Sequence, residues 1–280
     1  MKIKNSCFTK PIVKTLVNVY NAQADSENKI SLNQPEESLL QQLSQKMKAQ
    51  CAQNTNQEYC MAKELNQEQI IKDSFMPFRK WKKPNEWLSN IDIDNVMSVF
   101  EKAYPHFKYC GTLTIDFAEK DKYGKCLSDY FCNYMVAFEK LKLYTHWGAI
   151  FNLDRHEQSG SHWVSLFINY QHSPPFAFYF DSATTFGSKI PDSIYRLMKT
   201  IQSKTPNMKL MYNTKQHQRS NTECGVYSLF FIITILTQQI PFLSNLPMSM
   251  PQIINLFLKG TIPDSFIEQY RKIFFTVASS

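Results

Sequence analysis

The segment Thr222-Glu223-Cys224-Gly225-Val226-Tyr227 places a thiol where a polar stretch gives way to the apolar run Val226 to Leu236. A run of that composition reads as a buried helix, apolar nearly all round. Cys224 then sits at a helix start, where free backbone N–H groups and the positive end of the helix dipole favour a thiolate. Gly225 would let a substrate backbone approach closely. His162, in Ser159-Gly160-Ser161-His162-Trp163, stands at the boundary of a flexible loop and a strongly apolar strand. Rigid elements commonly hold functional groups on such loops. Asp181 ends the apolar strand Phe176 to Phe180 and needs either solvent or a partner. Each residue alone has a purely structural reading: a buried thiol, a strand-end histidine, a turn aspartate. Together they supply a nucleophile, a general base and a group that orients the base, the parts of nucleophilic acyl transfer. Gln218, six residues before Cys224, adds an amide. Paired with the Cys224 backbone N–H, it could hold a developing oxyanion. If the two strands adjoin in one sheet, His162 and Asp181 lie at the same end of it.

The positioning elements follow from periodicity. Trp147 to Leu153, Trp163 to Ile168, Phe176 to Phe180 and Lys209 to Asn213 read as strands. Pro191 to Ile201, Gly225 to Gln238 and Asp264 to Phe275 read as helices, and Asp92 or Asp94 can cap another through Tyr104. Residues 1–75 read as three helices. One opens at Pro11 with Val13, Leu16, Val17 and Tyr20 on one face; one follows Pro35 with Leu39, Leu40, Leu43 and Met47. The third runs from Gln57 to Ser74. The basic, aromatic stretch Phe78-Arg79-Lys80-Trp81-Lys82-Lys83-Pro84 marks a junction and reads as a solvated hinge. The division is a helical accessory region at 1–83 and a main domain at 84–280.

Bulk composition removes other classes. The 280 residues are 43% hydrophobic and 14% aromatic, as in a packed globular chain. Only 7 glycines argue against phosphate-cradling loops and repeat folds. Seven cysteines with no Cys-x-x-Cys pair give no zinc spacing, and the expectation is reduced thiols, with Cys51 and Cys60 packed on helix faces. No metal or other cofactor is expected. The Val226 to Leu236 run is too short to span a bilayer. The net charge of +7 permits a nucleic acid or acidic partner, but no motif singles one out.

His162-Trp163, then Asp181 nineteen residues on, then Gln218 and Cys224-Gly225, resemble the SUMO-protease-type cysteine peptidases. Adenovirus protease is a distant relative of that group. The stretch from His217 to Phe230 is most similar to the maturation proteases of large cytoplasmic DNA viruses, of the African swine fever virus type. Trp87-Leu88-Ser89-Asn90 resembles the family's Trp-Leu-Asn-Asp motif with two departures, and Ile262 to Arg271 resembles its final helix. The resemblance covers about residues 85–275; the viral group also carries a helical N-terminal extension.

It implies an α+β, papain-like fold in the SUMO-protease arrangement: a central mixed sheet packed on the nucleophile-bearing helix. It also implies His162 as base, Asp181 as orienter, Cys224 as nucleophile and Gln218 in the oxyanion hole. Trp87 and Trp163 would wall a tunnel that admits only Gly-Gly before the scissile bond. The substrate would be a Gly-Gly-X viral polyprotein, processed in the cytoplasmic viral factory or the virion. The alternative is a ubiquitin-like modifier, released by a cytoplasmic or nuclear enzyme. An acetyltransferase with the same His, acid, Cys order, and a non-catalytic protein that kept the fold, are the competing readings.

Overall fold

In the computed structural model, residues 3, 6–52, 56–83, 85–132, 141, 143–185, 187–241 and 247–276 are described. Pro84, read above as closing the junction, lies outside them. The centre is a five-stranded mixed sheet in the order β1-β2-β3-β4-β5. Its strands are β1 (Phe107–Thr114), β2 (His146–Asn152), β3 (Trp163–Asn169), β4 (Phe176–Phe180) and β5 (Lys209–Tyr212). The β1/β2 and β4/β5 pairs are parallel; β2/β3 and β3/β4 are antiparallel.

Both faces of the sheet are covered, which is why β2, β3 and β4 read as near-continuous apolar runs. Alternation still assigns the faces. Phe176, Phe178, Phe180 and Phe167 join the cluster around the helix Cys224–Thr237. Ala177, Tyr179, Val164, Leu166 and Ile168 join the opposite cluster with Ile194, Leu197, Met198 and Ile201 of the helix Asp192–Lys204. Phe180 stacks on Phe231 of the helix that begins at Cys224, at 4.8 Å between ring centroids.

The helices in chain order are α1 (Lys10–Gln23), α2 (Glu36–Lys46), α3 (Gln57–Glu64), α4 (Glu68–Phe75), α5 (Asn90–Ala103), α6 (Asp192–Lys204), α7 (Cys224–Thr237), α8 (Met250–Leu258), α9 (Asp264–Ile267) and α10 (Tyr270–Phe274). The buried residues of α1 to α4 belong to the same apolar cluster as α7.

Several sequence readings are corrected. The helix expected from Gln57 to Ser74 is two helices, broken where Asn66 takes a left-handed φ of 56° and its N–H reaches the Lys63 carbonyl. The last helix is likewise split into α9 and α10. The cap of α5 is Ser89, in a reciprocal box with Asp92, so Asp92 serves at the third helical position and not as the cap. Strand β1 was not read from the sequence: Lys108, Gly111, Thr112 and Thr114 break its apolar pattern. Cys51 and Cys60 are buried but disulfide-bonded to each other, as are Cys126 and Cys132, so these four are not the reduced thiols expected. Among the described residues Cys7, Cys110 and Cys224 remain as thiols. The stretch Phe78 to Lys83 is solvated at Phe78, Lys80, Lys82 and Lys83, but it is not a free hinge. Its start is held to Thr276 through Arg79 N–H to Thr276 O (2.9 Å) and Thr276 N–H to Pro77 O (2.9 Å), and Trp81 packs edge-on against Phe275.

Candidate active site

Pairing of β3 and β4 sets the geometry. Ser165 lies opposite Phe180, so His162, just before β3, and Asp181, just after β4, come to the same end of the sheet. His162 Nε2 lies 2.7 Å from Asp181 Oδ1. The Asp181 carboxylate is itself fixed: Oδ1 also accepts the Ala183 N–H at 2.9 Å. Its backbone is pinned on both sides by Asn213, whose Oδ1 accepts the Asp181 N–H (3.0 Å) and whose Nδ2 donates to Asp181 O (2.7 Å).

Cys224 lies close enough to the imidazole to favour its protonated form. With Nε2 committed to Asp181, Nδ1 is left for the sulfur. Burial opposes the imidazolium, but hydrogen bonds and charge from Asp181 and Cys224 outweigh it and push the His162 pKa up to about 10. Cys224 is the first residue of α7 and 4% exposed.

Gln218 is buried in the loop before α7. The Ser182 hydroxyl donates to its Oε1 at 2.7 Å, which sets the direction of the amide, and Nε2 donates to Ser220 O at 2.8 Å. Backbone bonds from the His217 and Gln218 N–H groups to Ser182 O tie this loop to the end of β4, beside Asp181.

Trp87 and Trp163 line one cleft of about 460 Å³, together with Thr112, Asn152, His156 and Gly160. Trp87 is 45% exposed, whereas Trp163 is buried and its Nε1–H donates to Leu88 O at 3.0 Å. Gly225 packs against the cleft wall. A Cβ there would meet Leu88 at 3.1 Å and Trp163 at 3.2 Å, so the missing side chain makes room for the protein's own cleft wall.

Sequence reasoning missed the supports. Glu223, fully buried, takes a bidentate ion pair from Arg271 of α10, with Nε 2.8 Å from Oε2. Arg271 Nη2 donates to Thr222 O at 2.9 Å. Asp264, at the start of α9, accepts the N–H groups of Arg219 (2.9 Å) and Ser220 (2.7 Å) and the Tyr227 hydroxyl (3.0 Å). The one available signal was an arginine spaced among Tyr270, Ile273 and Phe274, which a core-facing helix does not carry without a buried partner.

Two further histidines have partners of their own. His217 is buried between Phe257 O and the Ile262 N–H, its pKa held down by burial. His156 sits 2.6 Å from Asp116 and raises its pKa through that bond. Asp116 also accepts the His156 backbone N–H, which anchors the loop leading to His162. Among the described residues there is no group of three or more potential metal ligands, and no helix is long and apolar enough to cross a membrane.

The family of the YopJ Serine/Threonine acetyltransferase matches residues 128–247, a stretch that contains all four site residues. A putative thiol protease of Acanthamoeba polyphaga mimivirus is 35% identical over 159 residues, 55% of this chain and 49% of the relative. The SUMO-1 cysteine protease of African swine fever virus (isolate Pig/Kenya/KEN-50/1950) is 28% identical over 159 residues, 52% of this chain and 56% of the relative. The chain thus spans about half the length of the curated relatives it matches. The crystal structure of the African swine fever virus protease superposes with a TM-score of 0.59 at 21% identity, covering 99% of this chain and 94% of that one. The chain therefore has the α+β, papain-like fold of that viral protease, and its sequence is related to viral thiol proteases.

Proposed function

We propose that the chain is a cysteine endopeptidase that cleaves after Gly-Gly, with His162, Asp181, Cys224 and Gln218 as its catalytic groups. The observation that carries this reading is the imidazole of His162 held between the Asp181 carboxylate and a thiol at the first residue of a helix. The Cys224 thiolate attacks the scissile carbonyl carbon. The oxyanion forms against the Cys224 N–H and the Gln218 amide. Protonated His162 passes its proton to the leaving amine and leaves an acyl-thioester. It then takes a proton from the attacking water, and Cys224 is released. Asp181 keeps the ring oriented and stabilises its charged form.

Trp87 and Trp163 on one cleft favour a substrate without side chains at the two residues before the bond. The likeness to viral proteases, and a helical region in the place where the viral group carries one, favour a structural polyprotein cut during virion maturation, in the viral factory or the particle. In this reading residues 1–83 are an accessory region attached to a catalytic domain of residues 84–280. The test is incubation with a Gly-Gly-Ala peptide and, separately, with a SUMO precursor. Cleavage of the peptide by the parent chain and not by Cys224→Ala supports the reading. Cleavage of the SUMO precursor alone replaces polyprotein maturation with modifier release.

The match to the acetyltransferase family gives a second reading, transfer of an acetyl group through Cys224. An acetyl adduct on Cys224 after incubation with acetyl-CoA, without peptide cleavage, would establish it. Against it, among the described residues the segment between Asp181 and Cys224 has α6 and β5 as its regular elements, and its sequence shows no obvious basic insert for the phosphates of coenzyme A.

A further inference from the structure

The cleft wall that carries Trp87 is irregular backbone, and its carbonyl groups must be satisfied from elsewhere. Three consecutive carbonyls are met by three side chains, one from eight residues upstream and two from remote parts of the chain. Glu86 O accepts from Arg271 Nη1, Trp87 O accepts from Arg79 Nη2 at 3.0 Å, and Leu88 O accepts from Trp163 Nε1 at 3.0 Å. Trp163 belongs to the sheet, and Arg271 belongs to the helix that also holds the residue before Cys224. Arg79 is different, because the hydrogen bond, ion pairs and ring contact of its side chain reach neither His162, Asp181, Gln218 or Cys224 nor the residue before Cys224. Its guanidinium also pairs with Asp92 of α5 and with Glu86 at 3.5 Å. Arg79 lies 4.3 Å and Arg271 5.1 Å from the centroid of the Trp81 ring, so one indole braces both cations. The Arg79 backbone is anchored in turn to Thr276.

We infer that Arg79 is a specificity-positioning residue: it holds the Trp87 segment at the spacing from Trp163 that distinguishes glycine from alanine in the substrate. This rests on the Gly-Gly reading above and deepens it. A planar fork that reaches two acidic groups and a carbonyl at once is not replaced by the point charge of lysine. Loosening the wall would widen the passage between the indoles without moving the thiol, the imidazole or the oxyanion donors.

The experiment compares the full chain with Arg79→Lys and Arg79→Gln, using Gly-Gly-Ala and Gly-Ala-Ala peptides and alkylation of Cys224 by iodoacetamide. The expected result is an alkylation rate within about twofold of the parent, a rise in KM for Gly-Gly-Ala and little change in kcat. Discrimination against the alanine peptide falls about tenfold, the scale of one methyl group in a fitted pocket. Arg79→Lys, which keeps the charge, covers the case in which Arg79→Gln does not fold. Unchanged discrimination in a folded variant overturns the inference, as does an equal loss in kcat and alkylation. Hydrogen exchange of residues 85–90 gives a readout that needs no turnover: it accelerates in Arg79→Gln while α7 stays protected. If the parent cleaves neither peptide, the Gly-Gly reading fails by itself. The positioning role is then decided by exchange alone, and unchanged protection at 85–90 overturns it.

Discussion

At the scale of single residues, the His162–Asp181 contact sets a pH dependence whose sign can be worked out. The folded pKa of about 10 lies above the ordinary histidine value of 6.5. The stabilisation it represents is fully present below pH 6.5 and is lost as pH rises through about 10. In the proposed mechanism His162 gives its proton to the leaving amine, so kcat/KM should fall over that same alkaline range. Asp181→Asn removes the carboxylate that helps hold the proton, so the alkaline limb moves toward neutrality, and the rate drops by about a hundredfold or more. A pH–rate profile of the two proteins checks both; a limb that stays in place would remove Asp181 from the mechanism. Gln218 gives a separate prediction. Its amide direction is set by the Ser182 hydroxyl, so Gln218→Ala should lower kcat by about 10²–10³. Ser182→Ala should lower it less, with Cys224 alkylation retained in both. The four site residues were legible because their types are chemically marked and each falls at the end of an element with a clear pattern. Glu223, Arg271, Asp264 and Asn213 were not, because a supporting group is recognised by what it touches, and no local pattern encodes a contact 48 residues away.

At the scale of elements, legibility tracks how fully an element is buried. Strands β2, β3 and β4 and helix α7 were visible as apolar runs, since both sheet faces and the whole circumference of α7 are covered. Strand β1, with intermediate burial over half its length, has polar residues where the pattern would need apolar ones. The packing of α7 against the cleft wall gives the prediction at this scale. A Cβ on Gly225 would press on Leu88 and Trp163 at 3.1–3.2 Å, so these side chains must give by a few tenths of an ångström. In Gly225→Ala that shift is offset by a gain in helix propensity of about 1 kcal/mol. The change should lower peptide turnover more than it lowers the melting temperature, because the shifted groups line the cleft proposed above as the substrate passage. Calorimetry beside a kcat/KM measurement checks this. A variant that loses neither would show that the wall yields freely.

At the scale of the whole molecule, residues far apart in sequence converge on the helix and loop that carry Cys224. The N-terminal helices bury their side chains in the cluster that holds α7, and the segment after them pairs with the chain end at Thr276. The final helices reach back to the nucleophile loop at two points, Asp264 under residues 219–220 and Arg271 under residues 222–223. The Arg271–Glu223 pair is buried on both sides, at 4% and 0% exposure. Such a pair adds little over an apolar pair of equal volume, but removing one partner strands a charge in the interior at about 3–5 kcal/mol. Arg271→Met should therefore destabilise the chain strongly in urea unfolding. Arg271→Met with Glu223→Gln should recover part of that loss, since no charge is left stranded. Activity should not recover in step, because neither variant restores the bonds from Arg271 to the carbonyls of Thr222 and Glu86 that align the nucleophile loop with the cleft wall. If stability and kcat/KM recover together in the double variant, the pair acts only on folding and the chain end has no part in arranging the site.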